Sequence, residues 1–258
     1  MFTRDILLLL WLITAAFLYC GSSLAFSVLQ FDASAFRNVS EFNSTVSSWR
    51  SIQGSVSLSP CHSISNGWAM PFYDKGAICF IANSGVVSPL AFSLTETSLV
   101  SRVFIVAKSN EPSFCSTLID APCPIRLFQD NMGVFYHFST SSVLSKLKLS
   151  IDFASSLIFS QGRHIYEIAF DKPYALNELY IGGNPSSPAW KRNWKGSIFE
   201  IILASPLISE IELSVIRAYL SKKWRLGNYR SDCDNELKVL KSLGIKTSGI
   251  YGSILIMR

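Results

Sequence analysis

The sequence predicts an all-β fold: an antiparallel two-sheet sandwich with one short amphipathic helix packed on it near the carboxyl end. Three observations carry this expectation. Beyond residue 25 the chain is a succession of short β-type runs separated by Ser, Asn, Gly and Pro. Several runs alternate with period two: in His164–Phe170, Tyr166, Ile168 and Phe170 share one face, and Ile165, Glu167 and Ala169 the other. Strand and helix patterns do not alternate, which disfavours a doubly wound sheet.

The elements follow in order. Arg4 precedes an apolar run from Ile6 to Tyr19, and Ser23-Leu24-Ala25 fits a signal-peptidase site. Residues 1–25 therefore read as a signal peptide, with the mature chain starting at Phe26. An uncleaved anchor is the alternative, and it is the one route to a membrane in this reading. Tyr19 ahead of Cys20 does not fit a lipobox. Strands are expected at Ser27–Phe31, Ala77–Ala82, Ser101–Ala107, Val134–Phe138, Lys148–Phe153, His164–Phe170, Glu178–Gly182 and Ser197–Ala204. The last is apolar almost throughout and belongs in the middle of a sheet with both faces covered.

Ser209-Glu210-Ile211-Glu212 is a capping box, flanked by a staple of Ile208 and Leu213. Leu213, Ile216, Leu220 and Trp224 follow at helical spacing, with Gly227 as the stop. Residues 228–258 form an extension. In it Leu237, Leu240 and Leu243 share a helical face before Gly244. This segment reads either as added packing or as a piece that docks on a partner.

Composition narrows the class. The chain has 258 residues, 49% hydrophobic and 16% charged, enough for a sizeable core and too apolar for a disordered protein. Export would put the cysteines in an oxidising compartment. Cys115 and Cys123 bracket a short loop and are the easiest pair to close; Cys61 with Cys79 is a second pair, and Cys233 is left over. His62, His137 and His164 are isolated, and no zinc spacing, phosphate loop or nucleophile elbow occurs in the sequence.

Four stretches carry a family likeness. Leu179-Tyr-Ile-Gly-Gly-Asn, Trp194-Lys-Gly-Ser-Ile-Phe-Glu-Ile-Ile-Leu, Leu207-Ile-Ser-Glu-Ile-Glu and Tyr219-Leu-Ser-Lys-Lys-Trp-Arg-Leu resemble the closing segment of laminin-G-like domains. These are jelly rolls of the concanavalin A-like lectin/glucanase type. At the other end, Phe31-Asp-Ala-Ser and Val46-Ser-Ser-Trp-Arg with Gly54 resemble the family's opening strand and turn. The resemblance implies one domain over residues 26–227. It makes Trp194 a buried anchor beside Gly196. It also implies that Asp32, Asp74, Asp120 and Asn131 are where a calcium ion would be sought, although their spacing does not require one.

Glycosidases of this superfamily carry Glu-x-Asp-x-x-Glu on one strand. The nearest string here, Glu210-Ile-Glu212, is explained by the helix start, and Glu178 and Glu200 have no partner at the right spacing. A catalytic set is not expected. Binding is: Trp190, Lys191 and Arg192 combine an aromatic ring with cations in a turn, and Trp68 and Tyr73 belong to an aromatic loop. From Ser186 onward twelve Lys/Arg face six Asp/Glu, whereas residues 26–185 have ten against eleven. For an exported chain this basic end suits an acidic glycan better than nucleic acid. The expected protein is a secreted or cell-surface, non-catalytic module that binds glycan or an extracellular protein. The alternatives are a polysaccharide hydrolase or lyase on the same scaffold, and a structural envelope protein.

Overall fold

The computed structural model describes residues 28–34, 45–53, 56–62, 67–81, 86–111, 116–121, 125–130, 132, 135–138, 147–154, 162–183, 193–226 and 235–247. The expected signal peptide lies outside them. The strands are β1 (Val28–Asp32), β2 (Trp49–Arg50), β3 (Ser57–Pro60), β4 (Trp68–Ala69), β5 (Phe72–Asp74), β6 (Ala77–Cys79), β7 (Val86–Val87), β8 (Leu90–Ser109), β9 (Ser116–Ala121), β10 (Ile125–Gln129), β11 (Phe135–Phe138), β12 (Leu147–Ile151), β13 (Gly162–Ile181) and β14 (Gly196–Ala204). Two helices follow, α1 (Glu210–Trp224) and α2 (Glu236–Ser242).

Twelve of these strands form one curled antiparallel sheet, with β11-β10-β9-β13-β8-β14-β6-β5 as its main path and β1, β12, β3 and β2 added beside it. The fold is all-β and antiparallel, as the alternation predicts, and compatible with a sandwich. Its spine is the pair of 20-residue strands β8 and β13, matched from Gly162↔Ser109 to Ile181↔Leu90. His164–Phe170 and Glu178–Gly182, read from sequence as separate strands, belong to this single β13. The intervening Asp171-Lys172-Pro173 is exposed and sits where the register shifts between Ala169 and Tyr174. A proline lacks a ladder donor, so the strand tolerates it only at such an irregularity. Ser197–Ala204 is central as expected, with β14 between β8 on one side and β6 and β1 on the other.

The inward residues of both halves of β8 and β13 enter one core. Val103, Ile105, Tyr166, Ile168, Leu179 and Ile181 pack there with Phe31, Trp49 and Trp194. Two glycines of the family-like segments are held by close approach. At Gly182 (φ +80) a Cβ would enter the Phe80 ring, and at Gly196 it would enter the Lys108 carbonyl oxygen.

A second core lies on the opposite face of one half of the sheet. Val28, Phe104, Val106, Ile165 and Ile202 meet Leu213, Ile216, Leu220 and Trp224 of α1. The helix starts as its sequence dictates. The Ser209 hydroxyl accepts from the Glu212 N–H, and the Glu212 carboxylate accepts from the Ser209 N–H. Its end differs from expectation: α1 stops at Trp224, three residues before Gly227, with Arg225 in the left-handed region (φ 54) and its N–H bonded to the Ser221 carbonyl. A left-handed cap favours glycine, and here an arginine bears the strain. The extension adds the second helix, α2, where the sequence reading of the fold had one. Leu240, Leu243 and Ile245 are buried in the second core, so the packing does not break at residue 227. Leu237, the third leucine of the predicted face, is 44% exposed.

Candidate functional site

The helices cover one half of the β8–β13 pair; the other half has a different outer face. On β13, Leu179 and Ile181 point inward, so Glu178 and Tyr180 point out. Tyr180 stands beside Ala91 of β8 and Asp120 of β9, and Ala91 beside Ser59 of β3. The Tyr180 hydroxyl donates to Glu178 Oε1. Burial, then the Glu178 carboxylate, push the Tyr180 phenol up. On the neighbouring strands Arg126 grips Asp120 with both edges, Nε to Oδ1 at 3.2 Å and Nη2 to Oδ2 at 3.1 Å.

This polar row continues past the end of β3. Burial, and secondarily the Glu178 charge, push the Cys61 thiol up to about 12. Cys61 therefore stays protonated and a poor nucleophile near neutral pH. The next residue, His62, stacks on Trp68 with ring centroids 4.0 Å apart and planes 18° apart. Backbone bonds fix this corner: the Cys61 N–H donates to the Pro89 carbonyl, and the His62 N–H to the Ser88 hydroxyl. Trp68, His62, Cys61, Glu178, Tyr180, Asp120 and Arg126 thus form a chain of contacts and charge interactions from the β4 edge onto the uncovered face. It offers the half-buried Glu178 carboxylate, the Tyr180 phenol, the His62 ring and the Arg126 guanidinium held by the buried Asp120. Such groups bind hydroxylated rings by hydrogen bonds and stacking.

The residues expected from sequence fall as follows. Trp190, Lys191 and Arg192 lie outside the described residues, but the residues flanking residues 184–192 do not. Asn193 Nδ2 donates to the Val87 carbonyl, and Gly183 abuts Pro89 and Asn193. Val86 and Val87 are the parallel partners of Trp68 and Ala69. The described residues on either side of that stretch, Gly183 and Asn193, therefore lie against Val87 and Pro89, at and just beyond the strand that pairs with the one carrying Trp68. Trp68 itself is 9% exposed, with one ring face on His62, and Tyr73 packs at the fringe of the first core. Trp194 is fully buried beside Gly196, as the resemblance implies.

Cys61 and Cys79 are free thiols, so the bridge expected between them is not formed. The two are held on different elements: Cys61 beside Pro89 after β3, Cys79 on β6 opposite Ser197, with its Sγ 3.3 Å from the Ser197 hydroxyl. Cys115, Cys123 and Cys233 lie outside the described residues. Asp32 pairs with Lys223, Asp120 with Arg126, and Asp74 ends a separate strand; Asn131 is not described. Among the described residues no three His, Cys, Asp or Glu side chains gather as a metal site.

Glu200 has a wholly different setting from Glu178. It is fully buried beneath α1 and accepts from Gln30 Nε2 at 2.6 Å, the Tyr219 hydroxyl at 2.9 Å and Trp224 Nε1 at 2.7 Å. Lys223 Nζ lies 2.9 Å from Glu200 and 2.8 Å from Asp32. Burial pushes the Glu200 carboxyl up, while Lys223 and Gln30 oppose the shift. Lys246 of the extension closes the cluster, its N–H donating to Gln30 Oε1 at 2.9 Å. Such a group holds the helix and the tail to the sheet. The Glu178–Tyr180 pair was the part sequence reasoning missed. Its signal was the two-residue spacing, which puts both on one strand face. His62, read as an isolated structural histidine, gave no signal of its stack on Trp68.

No protein-family model, no curated protein and no solved structure matches the chain.

Proposed function

We propose that this chain is an exported, non-catalytic binding module: a laminin-G-like, two-sheet jelly roll that recognises a glycan at the cell surface or outside the cell. The observation that carries the reading is the uncovered half of the sheet. There Tyr180, Glu178, Asp120 and Arg126 present oriented polar groups beside the His62–Trp68 stack. Sugars need this combination, since their hydroxyls seek charged or oriented partners and their C–H faces seek rings. Trp190, Lys191 and Arg192 are the loop contacts of the proposal, supported by the position of the flanking Asn193 and Gly183 against Val87 and Pro89, one strand away from Trp68. An extracellular protein ligand would use the same surface.

A glycan array with the full chain tests the reading. Binding to at least one glycan is expected, weakened about tenfold in Trp190→Ala, as for loss of one stacking residue. A folded chain that binds no glycan overturns it.

A further inference from the structure

On the helix-covered side, away from the strip above, an open cleft of about 370 Å³ lies between β12, the turn after it and α1. Ser150 and Glu167 stand opposite one another across the β12–β13 pair on its floor. Phe153 forms an apolar wall, held with Asp152 in a left-handed turn (φ 66 and 50). Asp152 keeps that turn in place, accepting from the Ile165 N–H at 2.8 Å and pairing with His164 Nδ1 at 2.6 Å. Lys148 and Arg217 supply cationic sides.

The ion pairing here is two-sided. Toward the protein, Arg217 donates to the nearly buried Glu167 through Nε at 3.0 Å and Nη2 at 2.6 Å, and Arg102 lies 3.7 Å from the same carboxylate. Toward solvent, Arg217 Nη1 and Arg102 Nη2 both approach Glu210, at 3.8 and 3.7 Å. Those distances exceed a hydrogen bond, and the Glu210 side chain is 76% exposed. Arg217 and Arg102 thus share two carboxylates, the outer one, Glu210, held only loosely from solvent, and of the two arginines Arg217 lines the cleft together with Lys148.

We propose that this cleft seats the carboxylate of an acidic sugar. The ligand's carboxylate displaces Glu210 from Arg217 and lies between that guanidinium and Lys148, where a planar anion suits the arginine fork. The Ser150 hydroxyl bonds a ring hydroxyl, and Phe153 covers a C–H face of the ring. The choice of a sugar rests on the glycan reading above, but the cleft is a separate site with separate residues.

Titration of the full chain with glucuronic acid and with glucose, followed by calorimetry or NMR, tests it. Glucuronate should bind and weaken with added salt, and glucose should not bind. Lys148→Ala should weaken glucuronate about tenfold, the worth of one charge-assisted hydrogen bond, with an unchanged melting temperature. Glu210→Gln removes the internal competitor and should strengthen binding, which a merely structural role for Glu210 would not do. Glucuronate binding no tighter than glucose, an inert Lys148→Ala or a weakened Glu210→Gln overturns the inference. Neutral glycans bound on the array without glucuronate binding would overturn this site and leave the glycan module standing. Glucuronate binding sensitive to Lys148, with no array binding sensitive to Trp190, would do the converse.

Discussion

The two halves of β8 and β13 belong to the same strands, obey the same alternation and contribute to the same inner core, yet their outer faces diverge. Where α1 and α2 land, the outward residues are Phe104, Val106 and Ile165, all buried, together with Glu167 gripped by Arg217. Where neither of the described helices lands, they are the half-buried Glu178 and Tyr180 and the exposed Ala175 and Asn177. Polar groups occur in both settings, with different consequences. Glu200 under the helix lies in a closed network whose members cannot be removed singly without stranding a charge. The Glu178–Tyr180 pair keeps water as an alternative partner, so it is free to exchange that partner for a ligand.

The widest separation between the two regions should come from Lys223→Ala. It leaves the Glu200 and Asp32 carboxylates buried without the cation they share, at a cost of about 3–5 kcal/mol, measurable by urea denaturation. A loss below about 1 kcal/mol would mean that the cluster is wetter than its burial indicates.

A smaller effect is the pH response of Glu200. Burial raises its folded value, so its contribution is fully present below the unfolded value of about 4.3 and is lost as pH rises through the folded one. Glu200→Gln should be less stable overall, because its amide opposes donors. Its stability should also fall less steeply than that of the parent chain from about pH 4.3 upward. Parallel slopes in the two proteins would remove Glu200 as a source of the pH response.

The smallest effect on folding should be Tyr180→Phe on the uncovered face, less than about 1 kcal/mol for a half-exposed hydrogen bond. Glycan binding by that variant should fall while its melting temperature holds. If Tyr180→Phe instead destabilised the chain as much as Lys223→Ala, the contrast between an anchoring half and a recognition half would fail.

Much of this architecture is legible in local pattern. Period-two alternation marked the strand segments, and Ser209-Glu210-Ile211-Glu212 fixed the helix start, since a capping box is satisfied within four residues. The apolar run of β14 told of its central place because both its faces are covered. Three features resisted. The stretch between Phe170 and Glu178 separated two expected strands and is a register shift within one, because only the paired strand β8 reveals which donors the ladder lacks. Arg225 ends α1 in the left-handed conformation although glycine is the usual signal there, and Leu226 just beyond it still packs on the second core. The Trp68 loop read as an exposed aromatic platform, and the structure turns its ring onto His62.

The sequence by itself determined the β-class, the places where strands and the main helix begin, and the burial of Trp224, all of which depend on short-range propensity and hydrophobic period; the burial of Trp194 was implied by the family resemblance. Only the tertiary structure decided that Gln30, Asp32, Glu200, Tyr219 and Lys223, up to 193 residues apart along the chain (as Gln30 and Lys223 are), share one buried cluster, and that Glu178 and Tyr180 remain uncovered. A charge has no intrinsic fate in a sequence. It becomes an anchor or a contact according to which distant element excludes water from it.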